Sequence, residues 1–502
     1  MNVNPITRLD YPDPDVIRVE DTYYMVSTTM HFMPGCEILQ SFDLVHWEHV
    51  TYVYETLDHT DAQQLKSGQN IYGQGMWAAS LRYHEGRFYI CFVANDTRKT
   101  YLYTSEKIDG PWKKQLIEGF YHDGSLLFDE DGRNYIVYGN DEIWITELNE
   151  DLTAPKKDGL HRLLVSDHKN PELGYEGSHI QKINGYYYIF LIHSLRDRWM
   201  RTEACFYSDS LEGEFTGGDV LCDDRGYCGQ GVAQGGIVDT PDGKWYAMLF
   251  QDSGAVGRIP ILLPVTWKDH FPFFGQNGHV PEEIEVHSTR PGYIYQPLVG
   301  SDDFCNGLLP RWQFNHDPDP RYYHLDALQG TYTITTREVC TELTQAVNTL
   351  TQRMSYPSCA AEVTVDASAL KEGDVAGLCA LQSCYAAVGI TKHHGKYEVL
   401  MLDKKEDGIL DMTERTVVES HQMDFRLEAD FCNMKDEARC YYRVNKGDWL
   451  PIGTVHKLYF KLDHFTGCRF GLFCYAAEET GGSACFRDFK YYDTTVNEEQ
   501  VK

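Results

Sequence analysis

Five times in the first 250 residues, a short run of alternating apolar and polar positions reaches an acidic or glycine turn and reverses into a second run. The segments are DVIRVEDTYYMVS, SLRYHEGRFYICF, SLLFDEDGRNYIVY, SHIQKINGYYYIFL and GIVDTPDGKWYAML. A period of two over four to eight residues predicts half-buried strands, and turns containing ED, EG, DG or NG predict tight hairpins. Aligning the second aromatic position of each returning strand picks out Tyr24, Tyr89, Tyr135, Tyr188 and Tyr246, spaced 46 to 65 residues apart. That spacing is the length of a propeller blade with loop insertions. A third segment recurs downstream as SFDLVHW, SEKIDGPW and SDSLEGEF, the pattern of an outer strand. Helical periodicity is almost absent, so residues 1–300 are expected to form a five-bladed β-propeller in an all-β chain. A β-sandwich of similar hairpins is the competing arrangement.

The five-fold signature stops near SDDFCNGLLPRWQF, and short alternating runs such as GTYTITT, CAAEVTVD, YEVLML and CFRDFKYYD take over. Residues 301–495 are expected to form a second domain, a jelly-roll β-sandwich. Residues 496–502 read as a frayed tail. Two domains also suit a chain of 502 residues, which is too long for one ordinary core.

Composition narrows the partners. A formal net charge of −30 argues against nucleic acid and anionic membranes, both of which demand basic surface. No run approaches the ~20 apolar residues of a membrane span. The N-terminus, MNVNPITRLDYPDPD, lacks the basic-then-apolar pattern of a secretory leader. The 15 cysteines form no CxxC pair and no cluster with zinc spacing, and several lie inside apolar strands, such as Cys91 and Cys474. They read as buried small hydrophobes kept reduced, which points to a cytoplasmic protein. Homo-oligomerisation is left open.

The chemistry lies at the residues that open the hairpins. Counting back 12 positions from the aligned tyrosines gives Trp77, Asp123, Glu176 and Gln234, and 11 positions from Tyr24 gives Asp13. Equivalent positions on the innermost strands converge on a propeller's axis, so three of five converging residues are acids. A single acid near a turn is usually a turn former or cap. Three gathered at one pocket floor repel and raise one another's pKa, an arrangement rarely tolerated without function. Two carboxyl groups, one protonating a leaving oxygen and one activating water, are what hydrolysis of a glycosidic bond requires. Asp15 rivals Asp13 within PDPD, and strand alternation alone does not separate them. Asp13 lies between two prolines that hold the backbone extended.

With these residues in place, the chain resembles glycoside hydrolase family 43, in its β-xylosidase and α-L-arabinofuranosidase branch with a C-terminal concanavalin-like domain. The resemblance runs through NPITRLDYPDPDVIRV, MPGCEILQSFDLVHWE, GMWAASLRYHEGRFY, HDGSLLFDEDG, YEGSHIQKINGYYY, QGGIVDTPDGKWYAMLFQD and GAVGRIPILLPVTW, in that order. It implies Asp13 as general base, Glu176 as general acid and Asp123 as the acid that orients Glu176 and tunes its pKa. It also implies that Arg258, Trp77 and Met30 face the sugar, although an ion pair would equally explain Arg258, and core packing Trp77 and Met30. The chain has Ala79-Ser80 where the family often carries Pro-Asp, and Gln234 where a histidine often helps hold axial water or calcium. Gln234 could bind water but argues against a tightly held structural calcium, and no cofactor or metal is required for the chemistry. The implied substrates are neutral pentose oligosaccharides cut at a terminal α-L-arabinofuranosyl or β-D-xylosyl unit. An endo-acting arabinanase and a non-catalytic carbohydrate-binding propeller are the alternatives.

Overall fold

The computed structural model describes residues 2–493; the expected tail, 496–502, lies outside them. Five four-stranded antiparallel sheets form the propeller. Their innermost strands are Asp15–Val19, Met76–His84, Ser125–Phe128, Glu176–Ile183 and Val232–Asp239, in blades 1 to 5 respectively.

The second strand of each blade explains why the sheets stack around an axis. In blade 4, Tyr186–Ser194 is buried almost throughout, because both of its faces meet a neighbouring blade. Tyr187, Ile189 and Leu191 pack with Leu127, Tyr135 and Val137 of blade 3. Tyr188 and Phe190 pack with Ile237, Ala247 and Leu249 of blade 5. Alternation thus sends successive side chains into two separate apolar layers. Asn2–Val3 pairs with Glu283–Ile284 beyond blade 5, and Asn4 Nδ2 donates to Leu262 O at 2.7 Å, fastening the ring's two ends.

The inner strands open irregularly, and this sets where their first side chains point. Pairing registers shift between Trp77 and Ser80, between Glu176 and His179, and between Ala233 and Gly236. Backbone φ is positive at Asp13 (52°), Asp123 (47°), Gly177 (65°) and Gln234 (59°). Such bulges and left-handed residues re-aim side chains, and outside glycine they are strained conformations that cluster at functional sites.

The second domain is a sandwich of an eight-stranded and a seven-stranded sheet around one apolar core. Its eight-stranded sheet is completed by the propeller. Phe32–Met33, in a blade 1 loop, pairs antiparallel with Gln313–Asn315. A buried ion pair, Arg353 Nη1 to Glu37 Oε2 at 2.8 Å, adds to this junction.

Candidate active site

At the mouth where the inner strands begin, Asp13 is 6% exposed and held from two sides. Arg258 Nη1 donates to its Oδ1 at 2.8 Å and Thr28 Oγ1 to its Oδ2 at 2.5 Å. Asp15, its sequence rival, is directed elsewhere: its oxygens bind Leu81 N and Arg82 Nη1, each at 2.7 Å, and lie 3.1 Å from His179 Nδ1. Burial pushes the Asp15 carboxyl up, but Arg82 and His179 outweigh it and hold the group below the usual range. The left-handed turn at Asp13 separates two acids that a regular strand would have put on one face.

Asp123 accepts the backbone N–H of Gly177 at 3.0 Å. Burial drives its carboxyl up to about 6; the charges of Glu176 and Asp13 add to this and His122 opposes it. Glu176 is part-exposed, and its Oε2 accepts from Asn140 Nδ2 at 2.6 Å. His122 Nε2 lies 3.7 Å from Asp123 Oδ2 and 3.6 Å from Glu176 Oε2. The charge of Asp123 lifts the imidazole to about 9, against burial. His122, Asp123 and Glu176 offer ligand atoms within 4.8 Å of one another, a spacing that a cation could bridge. Two of these side chains, Asp123 and Glu176, are acids that the sequence pattern singled out.

Arg258 is 2% exposed, and its guanidinium lies over the rings of Phe465 (4.2 Å) and Phe250 (5.4 Å). Phe465 belongs to a sandwich loop and also approaches Trp77 at a ring separation of 5.4 Å. Asp10 anchors that loop: its Oδ1 accepts Arg258 N at 2.7 Å and its Oδ2 accepts Gly467 N at 2.8 Å. The second domain therefore contributes an aromatic wall beside the Asp13–Arg258 pair.

The remaining sequence-predicted residues surround this centre. Trp77 is half-buried and lies 6.1 Å from the His122 ring, centroid to centroid. Met30 is buried, and its backbone bridges to Met76 in both directions (3.0 and 3.1 Å). Gln234 is buried against Gly177, where an added Cβ would meet its Cγ at 2.7 Å. Its backbone N–H bonds Glu203 Oε2 at 2.7 Å. The geometry adds His122, Asn140, Phe465, Asp10 and Glu203, which sequence reasoning missed. Only His122 carried a local signal, as the neighbour of Asp123.

The profile of glycosyl hydrolases family 43 matches residues 3–272, and that of the beta-xylosidase C-terminal concanavalin A-like domain matches residues 301–492. A beta-xylosidase of Formosa agariphila is 27% identical, over 96% of this chain and 88% of that protein. A non-reducing-end alpha-L-arabinofuranosidase of Bacteroides ovatus is 24% identical, over 82% of this chain and 79% of that protein. A solved structure described as a bifunctional GH43-CE of Bacteroides eggerthii superposes with a TM-score of 0.92 at 42% identity. That match covers 98% of this chain, which spans only 64% of that protein's length. Fold, acids and profiles agree: the chain is an enzyme of glycoside hydrolase family 43, a family of inverting hydrolases.

Proposed function

We propose that the chain is an exo-acting inverting hydrolase releasing terminal α-L-arabinofuranosyl or β-D-xylosyl units from neutral pentose oligosaccharides. The observation that carries this reading is the pair Asp13 and Glu176, on non-adjacent blades 1 and 4, beside a mouth walled by Phe465. In this reading Asp13, oriented by Arg258 and Thr28, takes a proton from the attacking water. Asn140 occupies Oε2 of Glu176, leaving Oε1 to deliver a proton to the leaving oxygen. Asp123 acts through the Gly177 N–H, fixing the backbone beside Glu176. Water attacks as the bond to the leaving group breaks, and the anomeric centre inverts.

The relatives named beta-xylosidase and alpha-L-arabinofuranosidase support both pentoses. The two sugars are close in outline, and a pocket separates near-isosteres weakly unless particular hydroxyls are bonded. An endo-acting arabinanase would need a groove open at both ends, which the Phe465 wall disfavours. Ten of the cysteines are buried as thiols, which supports a reducing, cytoplasmic setting and short oligosaccharide substrates.

The test is hydrolysis of paired chromogenic α-L-arabinofuranoside and β-D-xyloside, with Glu176→Ala alongside. Turnover of either by the parent, with the variant active only on substrates whose leaving group needs no protonation, is expected. No turnover of either by the parent would contradict the reading.

A further inference from the structure

Beneath the three acids, the propeller axis is filled by a guanidinium. Arg82, on the inner strand of blade 2, donates from Nη1 to Asp15 Oδ2 at 2.7 Å and to Leu81 O at 2.6 Å. Its Nη2 donates to Ser125 Oγ at 2.6 Å and to Ile180 O at 3.3 Å, and its Nε to Leu126 O at 2.8 Å. These partners come from blades 1 to 4. Blade 5 closes the group at Gly236, where an added Cβ would meet His179 Nδ1 at 3.3 Å and Asp15 Oδ1 at 3.7 Å.

The partners sit just below the candidate carboxylates. Asp15 is two residues beyond Asp13, Ser125 two beyond Asp123, and Ile180 four beyond Glu176. A planar guanidinium keeps its charge at any accessible pH and offers five donors in fixed directions. It can therefore bind several strands at once. A hard divalent cation would need six or more oxygen ligands here, or retained water. Both oxygens of Asp15 are already engaged, and the guanidinium occupies the space between the strands.

We propose that Arg82 is a positioning residue for hydrolysis. It is a built-in axial cation that holds the strands of Asp13, Asp123 and Glu176 in mutual register, in place of a metal ion. This rests on the roles assigned to those acids above. Arg82 also lines a cavity of about 480 Å³ formed by the far ends of the inner strands, including Arg18, His84, Phe128, Lys182 and Asp239. The cavity offers a route by which a small cation could replace the side chain.

The experiment compares the full chain with Arg82→Ala, on the preferred chromogenic pentoside. The expected loss in kcat is about 10–100-fold with KM little changed, as for reacting groups displaced by a fraction of an ångström. Methylguanidinium chloride should restore part of kcat and raise the variant's Tm, whereas tetramethylammonium chloride should do neither. Parent protein dialysed against EDTA should keep its kcat and Tm, and CaCl2 should add nothing. Parental kcat in Arg82→Ala, no response of that variant to methylguanidinium, or EDTA inactivation reversed by CaCl2 would each overturn the proposal. If Arg82→Ala does not fold, Ser125→Ala carries the test: reduced kcat at constant KM supports the proposal and parental kcat overturns it. If the parent turns over neither pentoside, the functional reading fails. The Tm response to methylguanidinium then still decides the structural part.

Discussion

Gly177 donates its backbone N–H to Asp123 Oδ2 at 3.0 Å, immediately after Glu176 in the chain. In the proposed mechanism this contact is how Asp123 orients Glu176: it fixes the peptide next to the one from which that side chain projects. It depends on a backbone that glycine adopts freely, with φ at 65°. Gly177→Ala is expected to be destabilised by about 1 kcal/mol or more. It should lose about 10–100-fold in kcat through misplacement of Glu176. Urea unfolding and steady-state kinetics on one preparation measure both; parental kcat would remove the Gly177 contact from the account.

Arg258 and Asp13 form a buried pair, 2% and 6% exposed. Removing one partner leaves an uncompensated charge, so Arg258→Ala should lose about 3–5 kcal/mol of stability. Activity should fall with it. Arg258→Lys keeps the charge but not the fork, and should recover stability more than turnover. Denaturant midpoints and kcat/KM of the two variants give the comparison.

Phe465 reaches the mouth from the second domain and packs against Arg258 and Trp77. Phe465→Ala should leave the propeller folded and raise KM for short pentosides several-fold. Near-ultraviolet circular dichroism and KM are the measurements. An unchanged KM would confine this loop to a structural role.

Glu203 is fully buried; its Oε2 accepts the Gln234 N–H at 2.7 Å, and its Oε1 has no hydrogen-bond partner among the described residues. Burial pushes its carboxyl well above the usual range. A carboxyl raised in the folded state stabilises the protein fully below its unfolded value. That contribution is lost as pH rises from about 4.3 towards the folded value. Glu203→Gln keeps the acceptor and removes the titration. Its Tm should exceed that of the parent by about 2–4 °C at neutral pH, with the difference vanishing near pH 4. Tm against pH for both proteins tests this.

Much of the site was legible in the sequence because it is periodic. Five hairpins of similar length carry their axial residues at nearly one offset, and that shared offset singles out Asp13, Asp123 and Glu176 together. What could not be read depends on contacts without a local pattern. The choice between Asp13 and Asp15 turns on a left-handed residue that breaks strand alternation. Asn140 reaches Glu176 from the neighbouring blade, and Phe465 comes from a loop more than 200 residues beyond Arg258. The pairing of Phe32–Met33 with Gln313–Asn315 is likewise a long-range match between two short, unremarkable segments. No composition or period marks such contacts.

The most direct test of the central claim is time-resolved ¹H NMR of the first sugar released from a β-D-xyloside or an α-L-arabinofuranoside, with Asp13→Asn alongside. The expected result is a first product of inverted configuration, α-xylose or β-arabinofuranose, that then mutarotates, with release largely abolished in the variant. A first product of retained configuration, or unimpaired release by Asp13→Asn, would contradict the assignment of Asp13 as the base that activates water.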